Sequence, residues 1–230
     1  MLTILNIETS TSVCSCALSQ NGNIIFNKEN LKGQSHSTLL GVFAEEAIEY
    51  VRKNGIVLNA IAVSSGPGSY TGLRIGVSEA KGLAYGLDIP LIAIATPLLM
   101  ASIVKDNVSP DTLLCPMIDA RRMEVFATFF DTSLNIIRET SADIIDENSY
   151  ADLLEKQKIV FFGNGAEKCK TLLSNPNAQF ISNIHPLASG MMPLAEKAFA
   201  NKNFVDVAYF EPHYLKEYVA VVGKNKVLGG

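Results

Sequence analysis

The stretch Ser64-Ser-Gly-Pro-Gly-Ser-Tyr-Thr-Gly-Leu-Arg-Ile-Gly76 joins a strand-like run to a helix-like one and reads as a strand-to-helix corner. Glycines at 66, 68 and 72 permit positive φ and close backbone approach. Pro67 stiffens the turn, and Ser69 and Thr71 offer helix-capping hydroxyls. Such a corner suits an anion or a partner. Its spacing fits neither standard phosphate loop, however. Five residues separate Gly66 from Gly72, Leu73 follows where a Lys-Ser/Thr pair is required, and the gap from Gly68 to Gly72 is too long for Gly-x-Gly-x-x-Gly.

Outward from the corner the pattern is regular. Upstream, residues 59–64 form an apolar strand of the kind covered on both faces. Before it, residues 36–53 carry two adjacent apolar ridges, Leu39, Phe43, Ala47 and Tyr50 beside Leu40, Ala44, Ile48 and Val51, which predicts a helix stopped by Asn54-Gly55. Further back lie a strand at 3–7, a hydroxyl-rich loop Glu8-Thr-Ser-Thr-Ser12, and strands at 13–19 and 24–26 joined by Asn21-Gly22, a strong hairpin signal. Downstream, a helix at about 73–86 carries Gly76, Ala80 and Ala84 with Gly82 and Gly86 nearby. Glycine costs helix stability, so this repeated use indicates a backbone that something approaches closely, either the chain's own sheet or a partner's helix. A strand at 91–95 and a helix from 97 follow. The order βββαβαβ is that of a ribonuclease-H-like half in an α/β protein.

The remainder echoes this order in shorter form. Strands are expected at 113–118, 124–130 and 134–138, a helix at 149–156, a strand at 159–162 and a second glycine corner, Gly163-Asn-Gly165, opening a helix at 165–174. Residues 187–201 read as a helix, the segment from Glu211 as extended, and 224–230 as a mobile end.

The chain has 230 residues, 48% hydrophobic and 18% charged, a net charge of −4 and a pI near 5.4. That composition supports a sizeable core and gives no chain-wide basic field for nucleic acid. Arg121-Arg122, Lys216, Lys224 and Lys226 are short basic touches, enough only for a helper surface toward nucleic acid. No apolar run reaches membrane-span length, and the expectation is a cytoplasmic protein. Cys14, Cys16, Cys115 and Cys169 lack zinc spacing and read as buried free thiols. His36, His185 and His213 are too scattered for a helix-borne metal pair, so no metal is expected.

Six motifs occur in a telling order: Ile4-Leu-Asn-Ile-Glu-Thr-Ser-Thr11, His36-Ser-Thr-Leu-Leu40, Ser65 through Gly76, Ala120-Arg-Arg-Met-Glu-Val-Phe126, Gly163-Asn-Gly-Ala166 and Pro212-His-Tyr-Leu-Lys216. Together, over about 1–216, the chain resembles the TsaB (YeaZ) family of tRNA threonylcarbamoyladenosine synthesis. The resemblance implies an actin-like, Hsp70-like (ASKHA) fold of two ribonuclease-H-like halves with mixed sheets. The halves would be 1–97 plus 187–216 and 98–186, with 217–230 as a tail. It also implies a heterodimer with the transferase TsaD, the ATPase TsaE as a third member, tRNA reached through the complex, and a homodimer when the chain is alone. TsaD carries a His-x-x-x-His metal motif where this chain has Thr96-Pro-Leu-Leu-Met100, which argues against metal chemistry of its own.

Two readings from different classes follow. In the first, a non-catalytic scaffold meets its partner through Leu39, Leu40, Phe43, Ala44, Ala47, Gly76, Ala80 and Ala84. In the second, an actin-like ATPase or kinase gathers Glu8, Ser69, Thr71, Gly72, Arg74, Gly163 and Gly165 around phosphates, with ATP or ADP bound there or at the partner complex. Glu8 has a simpler role open to it, as an acceptor for the loop that follows it, and Arg74 could equally line an exposed helix side.

Overall fold

A computed structural model describes residues 1–33 and 36–216. The expected tail 217–230, with Lys224 and Lys226, lies outside the described residues.

The first sheet contains β1 (Thr3–Glu8), β2 (Cys14–Gln20), β3 (Asn23–Asn30), β4 (Ala60–Gly66) and β5 (Leu91–Ala95) in the order β3-β2-β1-β4-β5. Its β1–β2–β3 part is antiparallel, while β1, β4 and β5 run parallel. The hairpin turn falls on Asn21 and Gly22, both at positive φ, 46° and 78°. The second sheet contains β6 (Leu113–Asp119), β7 (Glu124–Phe130), β8 (Ile136–Ile144), β9 (Ile159–Phe162) and β10 (Ala178–Ile181) in the order β10-β9-β6-β7-β8. Again a meander is extended by two parallel strands. The two sheets therefore share one topology with mixed strand directions, and the α/β, actin-like architecture of two ribonuclease-H-like halves is what the structure has.

Among the described residues five helices clothe the sheets: α1 (His36–Lys53), α2 (Tyr70–Leu87), α3 (Thr96–Val104), α4 (Ala151–Leu154) and α5 (Met192–Ala200). On one face of the first sheet α1 and α2 lie side by side, with Leu40, Ala47, Val77, Ala80 and Ala84 packed on Leu5, Ile7, Cys16, Leu18, Ile61 and Val63. On the other face α5 and Leu99 of α3 cover Ile4, Ala60, Ala62, Ile92 and Ile94. One turn on, Met100, Ala101 and Val104 pack on Leu114, Ile118, Phe126, Phe130, Val160 and Phe162 of the second sheet. Apolar nearly all round, α3 is thus shared by both cores, as expected of a helix buried between layers.

Several boundaries differ from expectation, each for a local reason. α2 begins at Tyr70 rather than Leu73 because Ser69 caps it. β8 runs to Ile144 because β7 pairs along its whole length, and Arg138 and Asp143 of β8 brace it through two hydrogen bonds of 2.7 and 2.8 Å. The expected helix at 165–174 is only a 3-10 turn, Glu167–Cys169, since the segment must return, past Pro176, to the unforeseen β10. β10 is four residues long and mostly half-buried, so it carries no alternation to read.

Candidate functional site

The corner at 64–76 is packed from the inside by the loop after β1. Ser69 N donates to Ser10 O at 2.6 Å, Thr9 Oγ1 donates to Gly72 O at 2.8 Å, and Ser69 Oγ caps α2 by accepting from Gly72 N at 3.2 Å. A Cβ at Gly68 would overlap Ser10 O, one at Gly72 would overlap Thr9 O, and one at Gly76 would overlap Thr9 Oγ1. Gly66, at φ 100°, lies under the His213 carbonyl, 2.7 Å from where a Cβ would sit. These glycines admit protein backbone and a threonine hydroxyl, which is the close approach that their number indicated.

Glu8 closes the bottom of this arrangement at the end of β1. It is fully buried, and Ser10 N and Ser10 Oγ both donate to its Oε1 at 2.5 Å. Its Oε2 has no hydrogen-bond partner, nor has the Oγ of Ser64, which faces it from β4, nor the Oγ1 of buried Thr96 at the start of α3. Burial pushes the carboxyl up from 4.5 to about 7, against the lowering effect of its hydrogen bonds with Ser10. Of the two roles open to Glu8, the local acceptor is the one the geometry displays.

The last described segment forms a strap over the same region. Val205 N donates to Leu91 O at 2.9 Å, Lys81 Nζ donates to the carbonyls of Ala208 and Phe210 at 3.2 and 2.8 Å, and His213 N donates to Ser65 O at 2.7 Å. Tyr214 then packs against Tyr70 with 4.7 Å between ring centres and the rings tilted by 39°. Leu215 reaches the second sheet's core, and Lys216 pairs with Glu124 of β7. Between strap and α2 lies a groove of about 410 Å³, where the exposed Arg74 guanidinium rests 5.3 Å over the Tyr70 ring and donates to its hydroxyl at 3.2 Å. Lys81, Tyr70 and Tyr214 escaped the sequence reading because their partners are carbonyls and rings some 130 residues away, and no spacing encodes that.

Placed together, the phosphate candidates divide. Glu8, Ser69, Thr71 and Gly72 meet at the first corner, with Ser69 and Thr71 exposed and Glu8 and Gly72 buried, while Arg74 sits one turn along α2. Gly163 and Gly165 belong to the other sheet's corner, after β9. Gly163, at φ 102°, packs on Met100 and the Met117 carbonyl, and Gly165 packs on the β6 backbone at Ile118 and Asp119. A Cβ at either glycine would meet the chain's own atoms, while a cavity of about 360 Å³ opens beside Gly163, Asn164 and Ala166.

The partner candidates need a correction. Leu40, Ala44, Ala47, Gly76, Ala80 and Ala84 are buried in the chain's own core or, for Gly76, against Thr9, so they present no surface. Only Leu39 and Phe43 are half-exposed. The outward face of the same helix pair instead shows Val42 at 46% exposure, Tyr85 at 82%, and Gly82 and Gly86 with nothing within 4 Å.

The four cysteines are buried free thiols. Burial pushes Cys14 up to about 11 and raises Cys16, Cys115 and Cys169 as well, which leaves them poor nucleophiles. Among the described residues no cluster of three metal-ligating side chains occurs, and no helix is long and apolar enough to cross a membrane. Pro97, Leu99 and Met100 of α3 are packed in the cores.

With this geometry in hand, the relatives can be placed. The family model described as TsaD, tRNA N6-adenosine threonylcarbamoyltransferase, matches residues 30–224. The tRNA threonylcarbamoyladenosine biosynthesis protein TsaB of Escherichia coli K12 is 30% identical over 223 residues, covering 94% of this chain and 96% of that protein. TsaB of Bacillus subtilis is 29% identical over 76% of both. The solved structure of YeaZ from Pseudomonas aeruginosa superimposes with a TM-score of 0.74 at 23% identity, covering 94% of this chain and all of that one.

Proposed function

The chain belongs to the TsaB (YeaZ) family, and from that premise we propose that it is a non-catalytic subunit that pairs with TsaD, with TsaE as a third member, in making threonylcarbamoyladenosine in tRNA. The observation that carries the non-catalytic part is the filling of the glycine corner. Gly66, Gly68, Gly72 and Gly76 are met by His213 O, Ser10 O, Thr9 O and Thr9 Oγ1, the chain's own atoms. A phosphate cradle needs free backbone N–H groups, and here Ser69 N and Gly72 N are spent on Ser10 O and Ser69 Oγ. The chain on this reading holds no nucleotide tightly by itself, and any ATP or ADP belongs to the assembled complex.

The pairing face is the outer side of α1 and α2, around Val42, Phe43, Gly82 and Tyr85. Exposed apolar side chains beside exposed helical glycines let a second helix pair approach closely, and in the absence of TsaD the same face would hold a second copy. Val42→Asp with Gly82→Arg tests this, because both positions are exposed and the fold tolerates the change. The expected result is an unchanged melting temperature and loss of co-purification with TsaD. Retained pairing would reject the face. Micromolar Mg-ATP binding with turnover by the chain alone, in a calorimetric titration, would reject the non-catalytic role.

A further inference from the structure

The hairpin between β6 and β7 ends in two arginines whose backbones are both left-handed, Arg121 at φ 71° and Arg122 at φ 49°. Glycine or asparagine adopts that conformation readily, whereas arginine loses stability in it at each position. The turn is firmly built nonetheless. Ala120 N donates to Glu124 O at 3.0 Å, Glu124 N donates to Arg121 O at 3.1 Å, and Lys168 Nζ donates to the carbonyls of Arg122 and Glu124, both at 2.7 Å.

Nothing inside the fold uses the two side chains. Both are exposed, and among the described residues neither enters an ion pair. The neighbouring acids are already engaged: Asp119 with Lys168, Glu124 with Lys216 and Glu167 with Lys170. A pair of uncompensated guanidiniums therefore stands at a braced tip on a chain whose net charge is −4. The strap ties this tip to the first corner, since Lys216 pairs with Glu124 three residues after His213 bonds Ser65.

We propose that the Arg121–Arg122 tip is a phosphate-backbone contact for RNA, presented by this chain to the tRNA held in its complex. The inference rests on the reading of the chain as part of a tRNA-modifying assembly. Two guanidiniums on a turn whose backbone is already held form forked hydrogen bonds with adjacent phosphodiesters, and they read no sequence. An acidic protein face is the competing occupant, and the test separates the two.

The experiment uses the complex of the full chain with TsaD and measures tRNA affinity across a salt series. The variants are Arg121→Asn with Arg122→Asn, and Arg121→Lys with Arg122→Lys. The asparagine pair relieves the backbone and is expected to raise the chain's melting temperature by roughly 2–5 °C. It should also weaken tRNA binding about tenfold and reduce the slope of log affinity against log salt by roughly 1.5. The lysine pair keeps charge and restores most of the binding. Unchanged affinity and salt slope in the asparagine variant overturn the proposal, as does a loss confined to TsaD pairing, which would assign the tip to a protein partner. Failure of the wild-type chain to pair with TsaD would instead sink the reading beneath it, and this inference with it.

Discussion

Replacing Glu8 by Gln gives a pH signature whose sign and size follow from the structure. An unfolded glutamate titrates near 4.5, whereas the folded one titrates at about 7, because full burial of the carboxyl outweighs the hydrogen bonds that favour its charge. Below pH 4.5 both states hold the proton and Glu8 imposes no penalty. As pH rises from 4.5 to 7 the unfolded state gives up its proton and the folded state retains it, so stability falls. Above 7 both are ionised and the loss stays constant. The gap of about 2.5 pH units corresponds to roughly 3 kcal/mol, or a melting shift of roughly 6–12 °C for a domain of this size. Glutamine keeps an acceptor for the two Ser10 bonds and places an amide donor toward Ser64, yet it does not titrate. Thermal melts of wild type and Glu8→Gln at half-unit steps from pH 4.5 to 8 should therefore diverge steadily up to about pH 7, with the variant the more stable at the alkaline end, and run parallel beyond it. A constant difference across the range would refute the buried acid.

Two further expectations concern glycine and charge. Gly76→Ala drives a methyl into Thr9 Oγ1, forcing that hydroxyl off the Gly72 carbonyl, and should cost about 2–4 kcal/mol. Gly82→Ala on the open side of the same helix should add about 0.5–1 kcal/mol, and adding Thr9→Ala to Gly76→Ala should recover part of the loss in a double-mutant cycle followed by chemical denaturation. Asp143 accepts from Arg138, Tyr150 and Ser141. Burial works upward on its carboxyl, but those bonds outweigh it and hold the group below its usual range. Its stabilisation is present above the unfolded value of 3.8 and lost as pH falls through the lower folded one. Asp143→Asn should thus cost about 1–3 kcal/mol at neutral pH and flatten the acid limb of the stability curve.

The first half was legible because each of its elements announces itself by period: alternation in β2, the Asn21-Gly22 turn, the double ridge of α1, and the strand-to-helix corner. The second half hid more, since β10 is too short to alternate and the corner at Gly163–Gly165 opens only a 3-10 turn where its spacing suggests a helix. Side-chain destinations were harder still. The ridge through Leu40, Ala44 and Ala47 is apolar whether it meets a sheet of its own or a partner, and only burial decides. The small residues of α2 did signal a close neighbour, but for Gly76 that neighbour is Thr9, on the loop after β1, and spacing within a helix cannot name it. Arg121 and Arg122 read as a short basic touch, but their left-handed backbone stays hidden because sequence does not display φ.

The placement of α5 bears on how the chain is born. Residues 192–200 supply part of the cover for Ile4, Ala60, Ala62, Ile92 and Ile94, all of which are translated well before them. At ribosomal speeds of about 5–20 residues per second, roughly 10–40 s separate β1 from the helix that shields it. Between the completion of β5 at Ala95 and the appearance of α5 the nascent first sheet has only α3 to cover that apolar face, and a chaperone that binds such faces has its natural window there.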